Sequence, residues 1–176
     1  MKHKKALSTF LFIMLLCAIG CERFPDPWPD ANLEKWFSAN RNLFDQLAMM
    51  AEADKNLARI APTFFKVGNN NSAPIYQASP LLDLNRWDEY RKLFRQLRLD
   101  NGILRLSDYP NAVLMIPLGT DPQNGLQSKG FAFSRDALSP TCKSLDKKSF
   151  RNSKGEICFK HLAGNWYLFA LFIDQL

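Results

Sequence analysis

His161, the cysteine pair Cys142 and Cys158, and the arginines at 91, 95 and 98 are the side chains whose types and spacing could do chemistry in this chain of 176 residues. A histidine is the natural proton carrier near neutral pH. As a general base it needs a nucleophile and an orienting acid. The sequence offers no Gly-x-Ser-x-Gly elbow, no phosphate-cradling glycine motif and no His-Glu-x-x-His pair. In "EICFKHL" (156–162), His161 alternates with Phe159 and Ile157, so it shares their face of a strand. Catalytic thiols typically occur as Cys-x-x-Cys, whereas Cys142 and Cys158 are far apart. They suit a structural bridge closing a loop that contains Lys143, Lys147, Lys148, Arg151 and Lys154 against Asp146 and Glu156. No ligand set at metal spacing surrounds His161, so neither a metal nor a cofactor is expected.

Elements must position these groups, and the first of them is an address. Lys2, His3, Lys4 and Lys5 precede an uncharged run from Ala6 to Ile19, 14 residues long. That is short of the roughly 18–20 residues that span a bilayer. A basic start, an apolar run of this length and small residues at Ala18 and Gly20 describe an export signal. The segment "LLCAIGC" (15–21) resembles the lipobox of bacterial lipoproteins, with Gly20-Cys21 matching well and Ala18 standing where that family prefers Leu. The resemblance implies cleavage before Cys21 and lipidation of that residue, hence a membrane-tethered domain of the cell envelope. Glu22, in place of the Asp that favours inner-membrane retention in that family, implies the outer membrane, facing the periplasm. Ordinary secretory cleavage at the same bond and an uncleaved anchor are the other two readings. Lipidation of Cys21 leaves Cys142 and Cys158 as an even pair for one disulfide, which suits an oxidising compartment.

Of the 23 lysines and arginines, three lie in the signal, which holds no acid, so the net charge of +6 falls to +3 for the exported part. The high calculated isoelectric point therefore overstates any case for nucleic acid, and an exported chain is not expected to meet it. Prolines 25, 27 and 29 make residues 21–30 an extended tether reaching roughly 30 Å. Residues 31–176 are the right size for one domain.

Within that domain, Leu33, Trp36, Phe37, Leu43, Phe44, Leu47 and Met50 recur at helical spacing after a candidate cap at Asp30, predicting one helix to about residue 54. Residues 57–67 lose that period and can begin the sheet, with Pro62 confining the piece to an edge. Asp83 opens a second helix over Leu84 to Leu97, closed by "DNG" at 100–102. Strands are predicted at 103–107, 112–118, 129–134, 156–162 and 166–173, with turns at "DYPN" (108–111) and "GN" (164–165). The last strand is apolar at every position and should lie inside the sheet, covered on both faces.

The fold expected is α+β, with two N-terminal amphipathic helices packed on an antiparallel sheet of about five strands. The function expected is that of a non-catalytic envelope lipoprotein holding a protein partner, an immunity or inhibitor protein being one version. Candidate contacts are Arg91, Arg95 and Arg98 on the second helix and Lys147, Lys148 and Arg151 in the stapled loop. An envelope hydrolase using His161 and a structural lipoprotein of a larger assembly are the alternatives.

Overall fold

A computed structural model describes residues 28–67, 82–117, 126–146 and 157–172. The expected signal (1–20), the lipidation candidate Cys21, most of the expected tether (21–30), Lys147, Lys148 and Arg151 lie outside these residues. The elements are α1 (Asp30–Ala39), α2 (Arg41–Ala53), β1 (Leu57–Ile60), β2 (Phe65–Val67), α3 (Leu84–Leu97), β3 (Ile103–Leu106), β4 (Tyr109–Met115), β5 (Leu126–Ser134), β6 (Ile157–Ala163) and β7 (Trp166–Phe172). The strands form one antiparallel sheet in the order β2-β1-β3-β4-β5-β7-β6.

The fold is α+β, as the periodicity indicates, with three corrections. The long first helix is two helices, broken at Asn40, whose backbone leaves the helical region (φ −122°, ψ 19°). The Asn40 amide donates to the Trp36 carbonyl at 2.9 Å, offering the backbone an alternative to continuing the helix. The sheet has seven strands, not about five, because residues 57–67 form a complete hairpin with Pro62 in its connection and β2 at the sheet edge. The helices therefore do not all precede the strands: α3 follows β2 in the chain.

Local chemistry explains the boundaries. The Asp83 carboxylate accepts from the Arg86 N–H at 2.8 Å and caps α3. That helix ends at Arg98 in the left-handed region (φ 53°), before the "DNG" turn. The β3–β4 turn is Ser107–Asp108, and Pro110 sits inside β4. Pairing with β5 begins only at Ala112, so the missing N–H of Pro110 costs no bond to that neighbour.

Gly102, with φ +67°, carries the chain from that turn into β3, and a Cβ there would lie against the Ile60 carbonyl and the Ala61 Cα. Gly102→Ala is expected to destabilise the fold by about 1–3 kcal/mol, read as a lower thermal midpoint.

β7 lies between β5 and β6. Its Trp166, Leu168 and Ala170 face the helices, while Tyr167 and Phe169 join a second apolar cluster with Ala112, Leu114, Ala132 and Phe159. The helix side is aromatic. Phe37 and Trp166 have ring centres 5.1 Å apart, Phe44 and Phe131 4.5 Å, and Phe133 and Trp166 5.1 Å. The Trp166 indole N–H reaches the Asp45 carboxylate at 2.9 Å, so the largest core side chain leaves no polar atom unsatisfied. α1 and α2 supply Phe37 and Phe44 to this cluster. α3 packs at the other end, where Trp87 meets Phe65 at 5.7 Å and donates to the Ala61 carbonyl at 3.1 Å. Leu138, in the segment after β5, covers part of the opposite face, and the Tyr109 hydroxyl donates to the Ser139 carbonyl at 2.9 Å.

Candidate functional site

The expected bridge between Cys142 and Cys158 is present as a pair at disulfide distance, with Cα atoms 6.0 Å apart. The same segment also joins the sheet. The Cys142 N–H donates to the Phe159 carbonyl at 2.7 Å, and the Phe159 N–H donates to the Pro140 carbonyl at 3.0 Å. Thr141 thereby pairs in parallel with Phe159 and covers part of the outer edge of β6.

Just beyond the bridge is a charge cluster that no sequence motif marks. Lys129 on β5 is buried, and its ammonium lies 2.7 Å from Asp30 Oδ1 and 2.5 Å from Asp146 Oδ1. Lys160 on β6 meets Asp30 Oδ2 at 3.0 Å and Glu34 at 2.7 Å. The Leu145 N–H donates to Asp30 Oδ2 at 3.0 Å, and the Asp30 N–H donates to the Asp146 carboxylate at 2.9 and 3.0 Å. Asp30 is therefore the first residue of α1 and not its cap; Pro29 holds the cap position without a side-chain bond. Burial opposes the charge on Asp30, but Lys129, the Leu145 N–H and Lys160 outweigh it and hold its carboxyl at about 2. Burial likewise opposes the charge on Lys160, whose pKa is nonetheless raised by Glu34 and Asp30.

The cluster had a signal in the sequence. The alternation that puts His161 with Phe159 puts Lys160 with Cys158 on the helix side. Lys129 lies opposite Ala170, which also faces the helices. A lysine on a core face requires an acid nearby, but nothing in the sequence named Asp30 as that acid.

His161 is exposed. Its Nε2 lies 2.9 Å from the Gly164 carbonyl, and its ring stands edge-on to Tyr167 at 5.2 Å. An open cleft of about 420 Å³ between α1 and the end of β6 includes it, together with Glu34, Ser38 and Arg41. The structure brings neither a carboxylate nor a serine into hydrogen-bond reach of the ring among the described residues.

The candidate arginines at 91, 95 and 98 divide. Arg91 lies over the Trp87 ring at 3.8 Å, donates to the Pro62 carbonyl at 2.8 Å and meets Asp88 at 3.3 Å, so it serves the packing of α3 against the β1–β2 connection. Arg98 lies over the Trp36 ring at 5.5 Å, and Trp28 stands edge-on to Trp36 at 6.2 Å. Trp36 also ties α1 to the end of α3, its indole N–H donating to the Leu97 carbonyl at 3.3 Å. Arg95 and Arg98 are exposed, one turn apart. The result is a cationic surface with tryptophan beneath it, beside the first described residues of the chain.

A fourth group lies under the end of α2. The buried Tyr90 hydroxyl donates to Asp54 at 2.7 Å, and Arg86 meets the same oxygen at 3.0 Å. Burial and then the Asp54 carboxylate push the Tyr90 phenol far above its ordinary pKa. No described helix is long and apolar enough to cross a membrane, and no trio of His, Cys, Asp or Glu among the described residues is placed to hold a metal. No protein-family model, no curated protein and no solved structure matches this chain.

Proposed function

We propose that this chain is a lipid-anchored protein of the bacterial cell envelope whose domain holds a protein partner without catalysing a reaction. The observation that carries the binding reading is the surface made by Arg95, Arg98, Trp36 and Trp28. Arginine and tryptophan are the residues that concentrate binding energy at protein interfaces. A guanidinium held over an indole loses little rotamer freedom on association. The partner that fits is acidic at the contact, and an exported toxin neutralised in the periplasm is one concrete case. The anchoring half of the proposal rests on the lipobox-like residues before and at Cys21, with Glu22 favouring the outer membrane.

Each half has its own experiment. Mass spectrometry of the protein from envelope fractions is expected to show a chain that begins at an acylated Cys21. An intact Met1 or a bare Cys21 would remove the anchor. For binding, cross-linking in intact cells with the wild type and with Arg95→Glu/Arg98→Glu is compared. The charge reversal is expected to lower recovery of the acidic partner by at least about tenfold, the scale of losing contacts worth about 1.4 kcal/mol or more. Equal recovery by the two chains rejects this face.

A further inference from the structure

At the far end of α2, the β3–β4 hairpin and the residues after β5 enclose an open cleft of about 530 Å³. Its lining includes Glu52, Lys55, Arg105, Asn111, Arg135 and Asp136. Arg105 follows Leu104 on β3 and reaches toward the helices, where one terminal nitrogen donates to the Ala51 carbonyl at 2.6 Å. That bond satisfies a free carbonyl at the C-terminal end of α2. It uses one of the five N–H donors of the guanidinium.

The acids that could neutralise Arg105 are committed elsewhere. Arg135 grips both oxygens of Glu52, at 2.7 and 2.8 Å. Asp54 is shared by Arg86 and the Tyr90 hydroxyl. Asp136 accepts from the Asn111 amide at 2.7 Å. No carboxylate among the described residues lies within ion-pair distance of Arg105. Burial depresses its pKa, and the nearby Tyr90, Glu52 and Asp54 do not make up the loss. A half-buried guanidinium with free donors, opening on a cleft, has the chemistry to hold an anion.

We propose that this cleft binds a carboxylate group on the free donors of Arg105, with Lys55 at the rim. The charges lining the cleft set the class of anion. Lys55, Arg105 and Arg135 against Glu52 and Asp136 leave one net positive charge, which suits a single negative charge. A dianionic phosphate would be repelled by the two carboxylates already present. The flat guanidinium fork matches a carboxylate in plane, and Ala53 and Pro110 supply an apolar wall for the carbon that bears it. A small free acid and an Asp or Glu side chain of another protein share this chemistry. The proposal does not depend on the α3 surface.

The test is an NMR titration of the full chain in detergent micelles at constant ionic strength, following the backbone amides of Ala53, Lys55 and Asn111. The probes are sodium acetate, the capped peptide acetyl-Gly-Glu-Gly-amide and inorganic phosphate. Saturable shifts with acetate or the peptide are expected, with phosphate weaker than both. A tighter peptide points to a protein side chain as the natural ligand, and tighter acetate to a free acid. Arg105→Gln is expected to weaken carboxylate binding by about tenfold or more, with Arg105→Lys in between. Glu52→Gln leaves Arg105 in place and removes a negative charge that lines the cleft, so it should tighten binding by about threefold. That variant keeps the idea testable even if Arg105→Gln fails to fold. The proposal is overturned by linear or absent shifts, by phosphate binding more tightly than carboxylate, by unchanged affinity in Arg105→Gln, or by equal or weaker affinity in Glu52→Gln.

Discussion

Asp30→Ala lowers the unfolding free energy by about 3–5 kcal/mol, the range seen when one partner of a buried ion pair is removed. The reason lies less in what Asp30 gains than in what it leaves behind. Lys129 is 4% exposed and would keep only Asp146, a half-exposed side chain, as a counter-charge. The Leu145 N–H would lose its acceptor in the same step. Urea unfolding at neutral pH measures the change. Asp30→Asn, which keeps a side-chain oxygen for Leu145 but loses the charge, should fall between the alanine variant and the wild type.

The pH dependence gives that prediction a second readout. Asp30 has its carboxyl depressed from 3.8 to about 2 in the folded protein. A depressed acid stabilises the fold above its unfolded pKa, and the stabilisation disappears as pH falls through the folded value. A shift of this size corresponds to about 2 kcal/mol. The wild type should therefore lose this contribution between about pH 5 and pH 2, and Asp30→Asn should lack that part of the profile. Parallel profiles for the two chains over that interval would show that the cluster does not hold Asp30 as described.

The second large effect belongs to the disulfide. Replacing Cys142 and Cys158 by Ser opens a loop of sequence separation 16, for which chain entropy gives about 3 kcal/mol. The loss should not be independent of Asp30. Residues 144–146 begin two positions after Cys142 and provide both Leu145 N–H and Asp146 to the cluster. A double-mutant cycle between the cysteine pair and Asp30→Ala should show coupling of about 0.5–3 kcal/mol, since both changes loosen one loop. Strict additivity would mean that the bridge and the charge cluster hold different structures.

Periodicity made the fold class legible because the two dominant signals here are long. Leu84 to Leu97 repeats at helical spacing behind a capping aspartate, and that helix is found within its expected bounds. Trp166 to Phe172 is apolar throughout and lies inside the sheet, with Trp166 to Ala170 buried on its two faces. The break at Asn40 was hidden because the apolar period continues across it. The hairpin at 57–67 shows in the sequence only as a loss of helical period, because β1 and β2 have only four and three residues, too few to show alternation.

The candidate sites were less legible, for a physical reason. Arg91, Arg95 and Arg98 share a helix face by spacing alone, but only the fold shows Arg91 bonded to Pro62 across the hairpin. The charge cluster and the Arg105 cleft join residues far apart in the chain. Asp30 and Lys160 are separated by 130 positions. Local pattern carries no information about such a meeting, except through a lysine on a face that should be apolar.

Asp30 follows Pro29, the point at which everything upstream joins the folded body. Tension applied through the preceding residues would not peel α1 away from its end. It would be shared at once by β5, β6 and the cross-linked segment, through Lys129, Lys160 and Leu145. These bonds would be loaded together and not one after another. The junction is a mechanical clamp, and its resistance would fall in acid as the carboxylate at its centre takes up a proton.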